Sequence, residues 1–154
     1  MIIFVSGVRI INPWEVGLEI RLGSYRGRLN PGFRWVAPLT THVVRMDTRT
    51  QVFDVPNNEI ITKDESLVNI DITISIRIIN PEKAYFEITN YRVATISLAQ
   101  TALIPIIGDM EVKEVLHKRH LITTKIRDIL NEATGAWGIK VEAVEIKNVE
   151  LLKR

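Results

Sequence analysis

The chain has 154 residues, 46% hydrophobic and 25% charged, long enough to bury a core and short enough for one domain. Its 20 Lys and Arg against 18 Asp and Glu leave a formal charge of +2, scattered along the sequence, which argues against nucleic acid as a partner. The absence of cysteine excludes a disulfide framework, a thiolate nucleophile, a Cys-based zinc site and palmitoylation.

At the N-terminus MIIFV is apolar but too short for a membrane-spanning helix or a signal peptide. It fits either the start of an edge strand running into Val8 to Ile11 or the last turn of a hydrophobic anchor. From residue 8 to residue 79 the sequence reads as strands: VRII, EVGLEIRL, LNPGFRWVAP, HVVRMDT, TQVFDV, EIIT and LVNIDITISIRII. Pro31-Gly32 suits a type II turn, Pro56-Asn57-Asn58 is expected to separate two strands, and Lys63 to Ser66 the next two. Short connections of this kind imply antiparallel neighbours. In the last strand Ile70, Ile72, Ile74, Ile76 and Ile78 alternate with polar residues, so one face needs an apolar cover.

Helical spacing begins at Asn80-Pro81-Glu82, where a capping residue, a proline and an early carboxylate open a short helix. Asn90 caps a second helix with Val93, Ile96, Gln100, Leu103 and Ile107 on one stripe, ending near Gly108. Asp109 is expected to cap a third, through about Leu116. A fourth, over 119 to 134, places Ile122, Ile126, Ile129 and Ala133 on one face, and Gly135 and Gly138 break it. The terminal IKVEAVEIKNVEL alternates again, with a change of parity that predicts a bulge near Ala143-Val144. Strands, then helices, then a last strand predict an α+β fold: a largely antiparallel sheet with about four helices packed on one face.

Catalytic and metal chemistry are not indicated. There is no G-x-S-x-G elbow, and Gly23, Gly27 and Gly32 match neither a phosphate loop nor a dinucleotide fingerprint. His117 and His120 form an i, i+3 pair without a third ligand. Asp64-Glu65 and the group Asp109, Glu111 and Glu114 sit where turns and helix starts favour carboxylates. Trp14, Trp35 and Trp137, beside turns, read as local core plugs. No catalytic residue, cofactor or metal ligand is assigned, and the alternative function that these isolated groups leave open is a soluble ligand-binding or enzyme domain using the histidines or carboxylates.

GLEIRLGSYRGRLNPGFRWVAP, DTRTQVFDVP, ITKDESLVNIDITISIRIINPEKA, LAQTAL and NEATGAWGIKVEAVEIKNVEL resemble, in that order, the core of the stomatin branch of the SPFH (stomatin, prohibitin, flotillin) superfamily. The match runs from about residue 9 to residue 151. The resemblance implies a single α+β domain over 1–154, no catalytic residues, and a non-enzymatic scaffold that oligomerises with itself at a membrane. It implies an N-terminal hydrophobic anchor upstream, with residues 1–7 its remnant and Ile2, Ile3, Phe4 and Val5 membrane-proximal, and a helical coiled-coil region downstream. In prokaryotic relatives the partner is often a membrane-bound serine protease of the NfeD type. A charge of +2 draws a lipid surface weakly, so attachment is expected to reside in the anchor. Where relatives usually carry an arginine and a small polar residue, this chain has Ile104 and Pro105, and a kink or early helix end is expected. His117-Lys118-Arg119-His120 replaces a usually acidic segment. A partner contact that relatives make through that segment is therefore not carried over, and Ile104, Ile106, His117 and Arg119 mark a candidate interaction surface.

Overall fold

The isoleucine ribbon occupies the middle of the fold. In a computed structural model that describes residues 7–153, β7 (Leu67–Ile78) lies between β6 (Gln51–Ile61) and β8 (Ile139–Lys153) in an antiparallel three-stranded sheet. Ile70, Ile72, Ile74 and Ile76 are fully buried while the intervening residues are not. The cover comes from four helices: α1 (Pro81–Phe86), α2 (Tyr91–Gly108), α3 (Val112–His117) and α4 (Arg119–Thr134). Leu103 and Ile107 of α2 and Ile122, Ile126 and Leu130 of α4 join the isoleucines in one cluster. Burying such a side chain contributes about 1.5–3 kcal/mol, so this interface dominates stability.

The α+β class holds, and the strands divide among three sheets. β2 (Glu15–Arg21) pairs with β3 (Ser24–Leu29) and with β5 (Thr41–Asp47), while β1 (Val8–Ile11) pairs with β4 (Gly32–Trp35), all antiparallel. β3 was not expected from the sequence, because Gly27, at φ +153, and the register shift opposite Glu19 break its alternation. Leu22 and Gly23, both at positive φ, turn the chain from β2 into β3.

Several other expectations need correction. Pro56-Asn57-Asn58 does not separate strands: β6 runs through it with a bulge. Asn58 Nδ2 donates to Val55 O at 2.8 Å and Ile70 O at 2.9 Å, and Asp71 accepts from Asn57 N at 2.8 Å, replacing the interrupted ladder. In β8 the extra residue is Glu142, just before the predicted position, and register shifts recur at Lys147 and Leu152.

Asn80 and Asn90 cap α1 and α2, accepting from Lys83 N at 3.3 Å and Val93 N at 3.2 Å. Asp109 does not cap α3, which starts after Glu111 without a side-chain cap. α2 continues past Pro105 to Gly108, since a proline one turn from the end removes a single helical bond and buried Ile107 holds the last turn. The buried stripe of α2 is Thr95, Ala99, Ala102, Leu103 and Ile107, leaving Val93 and Gln100 exposed. Small side chains let the helix approach closely, and hydrophobic rank did not reveal them. In α4 the stripe is Ile122, Ile126, Leu130 and Thr134, with Ile129 and Ala133 outside it.

Candidate functional site

The ribbon of β1 and β4 buries one face and exposes the other. Ile11 is 1% exposed and packs toward Gly17, where a Cβ would come within 3.0 Å of Ile11 Cδ1. Side chains alternate along a strand, so Val8 and Ile10 point the opposite way from Ile11. In the ladder Val8 faces Trp35 and Ile10 faces Phe33. Directly opposed residues share a face, which brings the four together. All are exposed, Phe33 to 77%, and Leu39, in the turn that follows, to 85%. Trp35 therefore is no core plug. Its indole lies over buried Gly7, where a Cβ would come within 2.6 Å of Trp35 Nε1. Gly7 O also accepts from Val36 N at 2.8 Å, which fixes the ribbon's end.

The reverse face of the ribbon carries Arg9 directly opposite Arg34. Arg34 Nε donates to Asn30 O at 3.1 Å and Arg9 Nη1 to Val8 O at 3.3 Å. The outward face is thus apolar at all four positions, whereas the reverse face combines the two cations with buried Ile11. Trp14 is likewise no core plug: it is exposed and stacks under the Arg49 guanidinium at 4.9 Å, while Trp137 does pack against the core.

Glu82 of α1 links the β2–β3–β5 sheet to the helices through two side chains of β3. Its carboxylate accepts from Arg28 Nε at 2.7 Å, Arg28 Nη2 at 2.6 Å and Tyr25 Oη at 2.8 Å. The Arg28 hydrogen bonds hold Glu82 down at about 2, whereas burial and the bond to Glu82 push Tyr25 up to about 12. Phe86 packs edge-on against Tyr25 with ring centroids 5.3 Å apart.

The surface expected around Ile104, Ile106, His117 and Arg119 is not brought together as one site. Ile106 lines a groove with Pro105, Leu121 and Ile129, Arg119 lines a second groove against β8, and Ile104 and His117 are exposed outside both. Ile2, Ile3, Phe4 and Val5 lie outside the described residues. Among the described residues no group of three or more potential ligands could hold a metal. Among the described residues one helix, α2, is long and apolar enough to cross a membrane, yet it buries five of its residues. The exposed face was missed because Val8-Arg9-Ile10 and Phe33-Arg34-Trp35 each read as ordinary strands. Only their pairing shows that both apolar sets share one side.

Residues 9–153 match the sequence profile of the SPFH domain / Band 7 family. Over 150 residues the chain is 43% identical to an uncharacterised protein of Methanocaldococcus jannaschii, covering 97% of this chain and 75% of that one. It is 39% identical over 151 residues to a protein of Pyrococcus horikoshii described as a stomatin homolog, covering 98% and 57%. With mouse stomatin the identity is 36% over 146 residues, covering 94% and 51%. The chain thus spans between about half and three quarters of these relatives' lengths.

Proposed function

The chain belongs to the SPFH domain / Band 7 family, and on that premise we propose that it is the non-enzymatic, membrane-associated scaffold domain of a larger protein. The observation that carries this reading is the exposed face of Val8, Ile10, Phe33 and Trp35. Aromatic and aliphatic side chains gathered on one outward face suit the boundary between headgroups and acyl chains. Full burial of each would contribute about 1.5–3 kcal/mol, so even shallow insertion adds to whatever an anchor supplies. This gives the domain a direct part in membrane contact, where charge alone offered little. In the full-length protein the domain acts within a homo-oligomer that organises or regulates membrane proteins. A narrower form of the proposal takes a membrane-bound serine protease as the partner, with co-purification from membranes as its test.

Vesicle flotation of this chain tests the face. The wild type is expected to float in part with anionic vesicles, and Phe33→Ser with Trp35→Ser to lose most of that binding at an unchanged melting temperature. A wild type that never floats, or a double variant that floats equally well, rejects the assignment.

A further inference from the structure

A groove of about 440 Å³ runs between α4 and β8. One wall is α4, with Arg119, His120, Thr123, Thr124 and Arg127; the other is residues 143–146 of β8, four in a row. Alternate residues of a strand point to opposite faces, so a groove lying on one face would meet every second residue. Meeting consecutive ones, it follows the strand's free edge. β8 is the outer strand of its sheet, and this stretch is the regular part between the bulges at Glu142 and Lys147.

Two hydrogen-bond patterns identify the backbone groups that face the edge. Asn131 of α4 accepts from Val141 N at 2.8 Å and donates to Val141 O at 3.1 Å, so the backbone groups of Val141 point away from β7. On the other side of the sheet, Ile70 O accepts from Asn58 of β6. The isoleucines of β7 thus direct their backbone toward β6, and the residues between them direct theirs toward β8. Ser75 with Ala143 and Thr73 with Glu145 are then the bonded pairs. Val144 and Ile146, opposite Ile74 and Ile72, turn their N–H and C=O groups outward. Asn131 already completes this edge at Val141 as a peptide group would, and the next two outward positions open onto the groove.

The wall above that edge is basic. Arg119 and His120 are exposed, and among the described residues Arg127 has only Asp128, 3.9 Å away and largely exposed, as a partner. Glu145, the one carboxylate lining the groove among the described residues, alternates away from Val144, which faces the helices.

We propose that β8 residues 143–146 are a docking edge for a short, extended, acidic segment of a partner protein. The segment adds as a further strand, bonding to Val144 and Ile146, and its carboxylates meet Arg119 and Arg127. The flanking bulges limit the regular frame to four residues, so the motif is short. Pairing with β8 of a second copy is disfavoured, because it sets two copies of the same basic flank near each other.

The test uses this chain and a fluorescein-labelled peptide of alternating Val and Glu. Controls are the same peptide with Lys for Glu and the Glu peptide N-methylated at every internal amide. The acidic peptide is expected to raise the anisotropy, to shift the amide resonances of Val144 and Ile146, and to bind more weakly as salt rises. N-methylation, and the double variant Arg119→Glu with Arg127→Glu, should each weaken binding by roughly tenfold or more, the variant at an unchanged melting temperature. Equal binding of the three peptides, or no binding of the acidic one, overturns the proposal. So does self-association that the double variant abolishes, which would give the edge to a second copy. Binding to anionic vesicles that the same variant abolishes, without peptide binding, would give the basic flank to a membrane.

Discussion

Arg28 holds both carboxylate oxygens of Glu82, at 2.7 and 2.6 Å, across 54 residues of sequence, and so ties β3 to α1. The carboxyl of Glu82 is lowered from 4.5 to about 2, chiefly by the Arg28 hydrogen bonds. A depressed carboxylate stabilises the fold above its unfolded value and loses that contribution as pH falls through the folded one. Wild-type stability should therefore decline between about pH 4.5 and pH 2. Arg28 is half-exposed and the pair is screened, which holds the contribution to about 1 kcal/mol. Glu82→Gln should lose this at neutral pH and flatten the slope. An identical acid slope in both proteins, measured by chemical denaturation, would refute the assignment.

Ile74→Asp should unfold the protein or nearly so, at a cost above about 4 kcal/mol, because it puts a carboxylate among fully buried isoleucines. Thr73→Asp should cost only about 1 kcal/mol. It removes the bond from Thr73 Oγ1 to Asp54, at 3.0 Å, and adds a like charge opposite Glu145 on the open face. Similar melting temperatures for the two variants would contradict the face assignment.

Gly135 and Gly138 should respond in opposite directions to alanine. Gly138 sits at φ +68, and a Cβ there would clash with Asn80 O and press on Lys83 Cβ, so Gly138→Ala should cost more than about 2 kcal/mol. Gly135 is helical with open space around it, so Gly135→Ala should stabilise by up to about 1 kcal/mol. Thermal unfolding of the pair decides the matter.

Asn58→Ala should cost about 1–3 kcal/mol, because the two carbonyls bonded by its side chain lose their donor at a buried position. Asn58→Asp should be worse at neutral pH and partly recover in acid, where the protonated carboxyl regains one donor. A variant as stable as wild type would mean that water replaces the side chain.

What could be read from the sequence follows from how local each determinant is. The alternation of β7, the Asn80 and Asn90 caps and the span of α4 are set within a few residues, and the structure agrees with them. The stripe of α2 is set by how closely a helix can approach a sheet, which made Thr95, Ala99 and Ala102 matter more than Val93. The Pro56-Asn57 bulge looks like a turn until Asn58 and Asp71 are seen to complete it. The apolar face and the β8 edge depend on register between distant strands, for which single segments carry no signal.

The place of β7 between a strand that precedes it and one that follows much later sets an order of events during synthesis. β6 and β7 can close as a hairpin as soon as both have emerged, but β8 begins 61 residues after Ile78. At about 5–20 residues per second, the second edge of β7 waits roughly 3 to 12 seconds for its partner. For most of that interval five isoleucines and an open strand edge stand side by side on the nascent chain, before α4 is complete. The element that organises the finished fold is thus the one most exposed to misassociation on the ribosome.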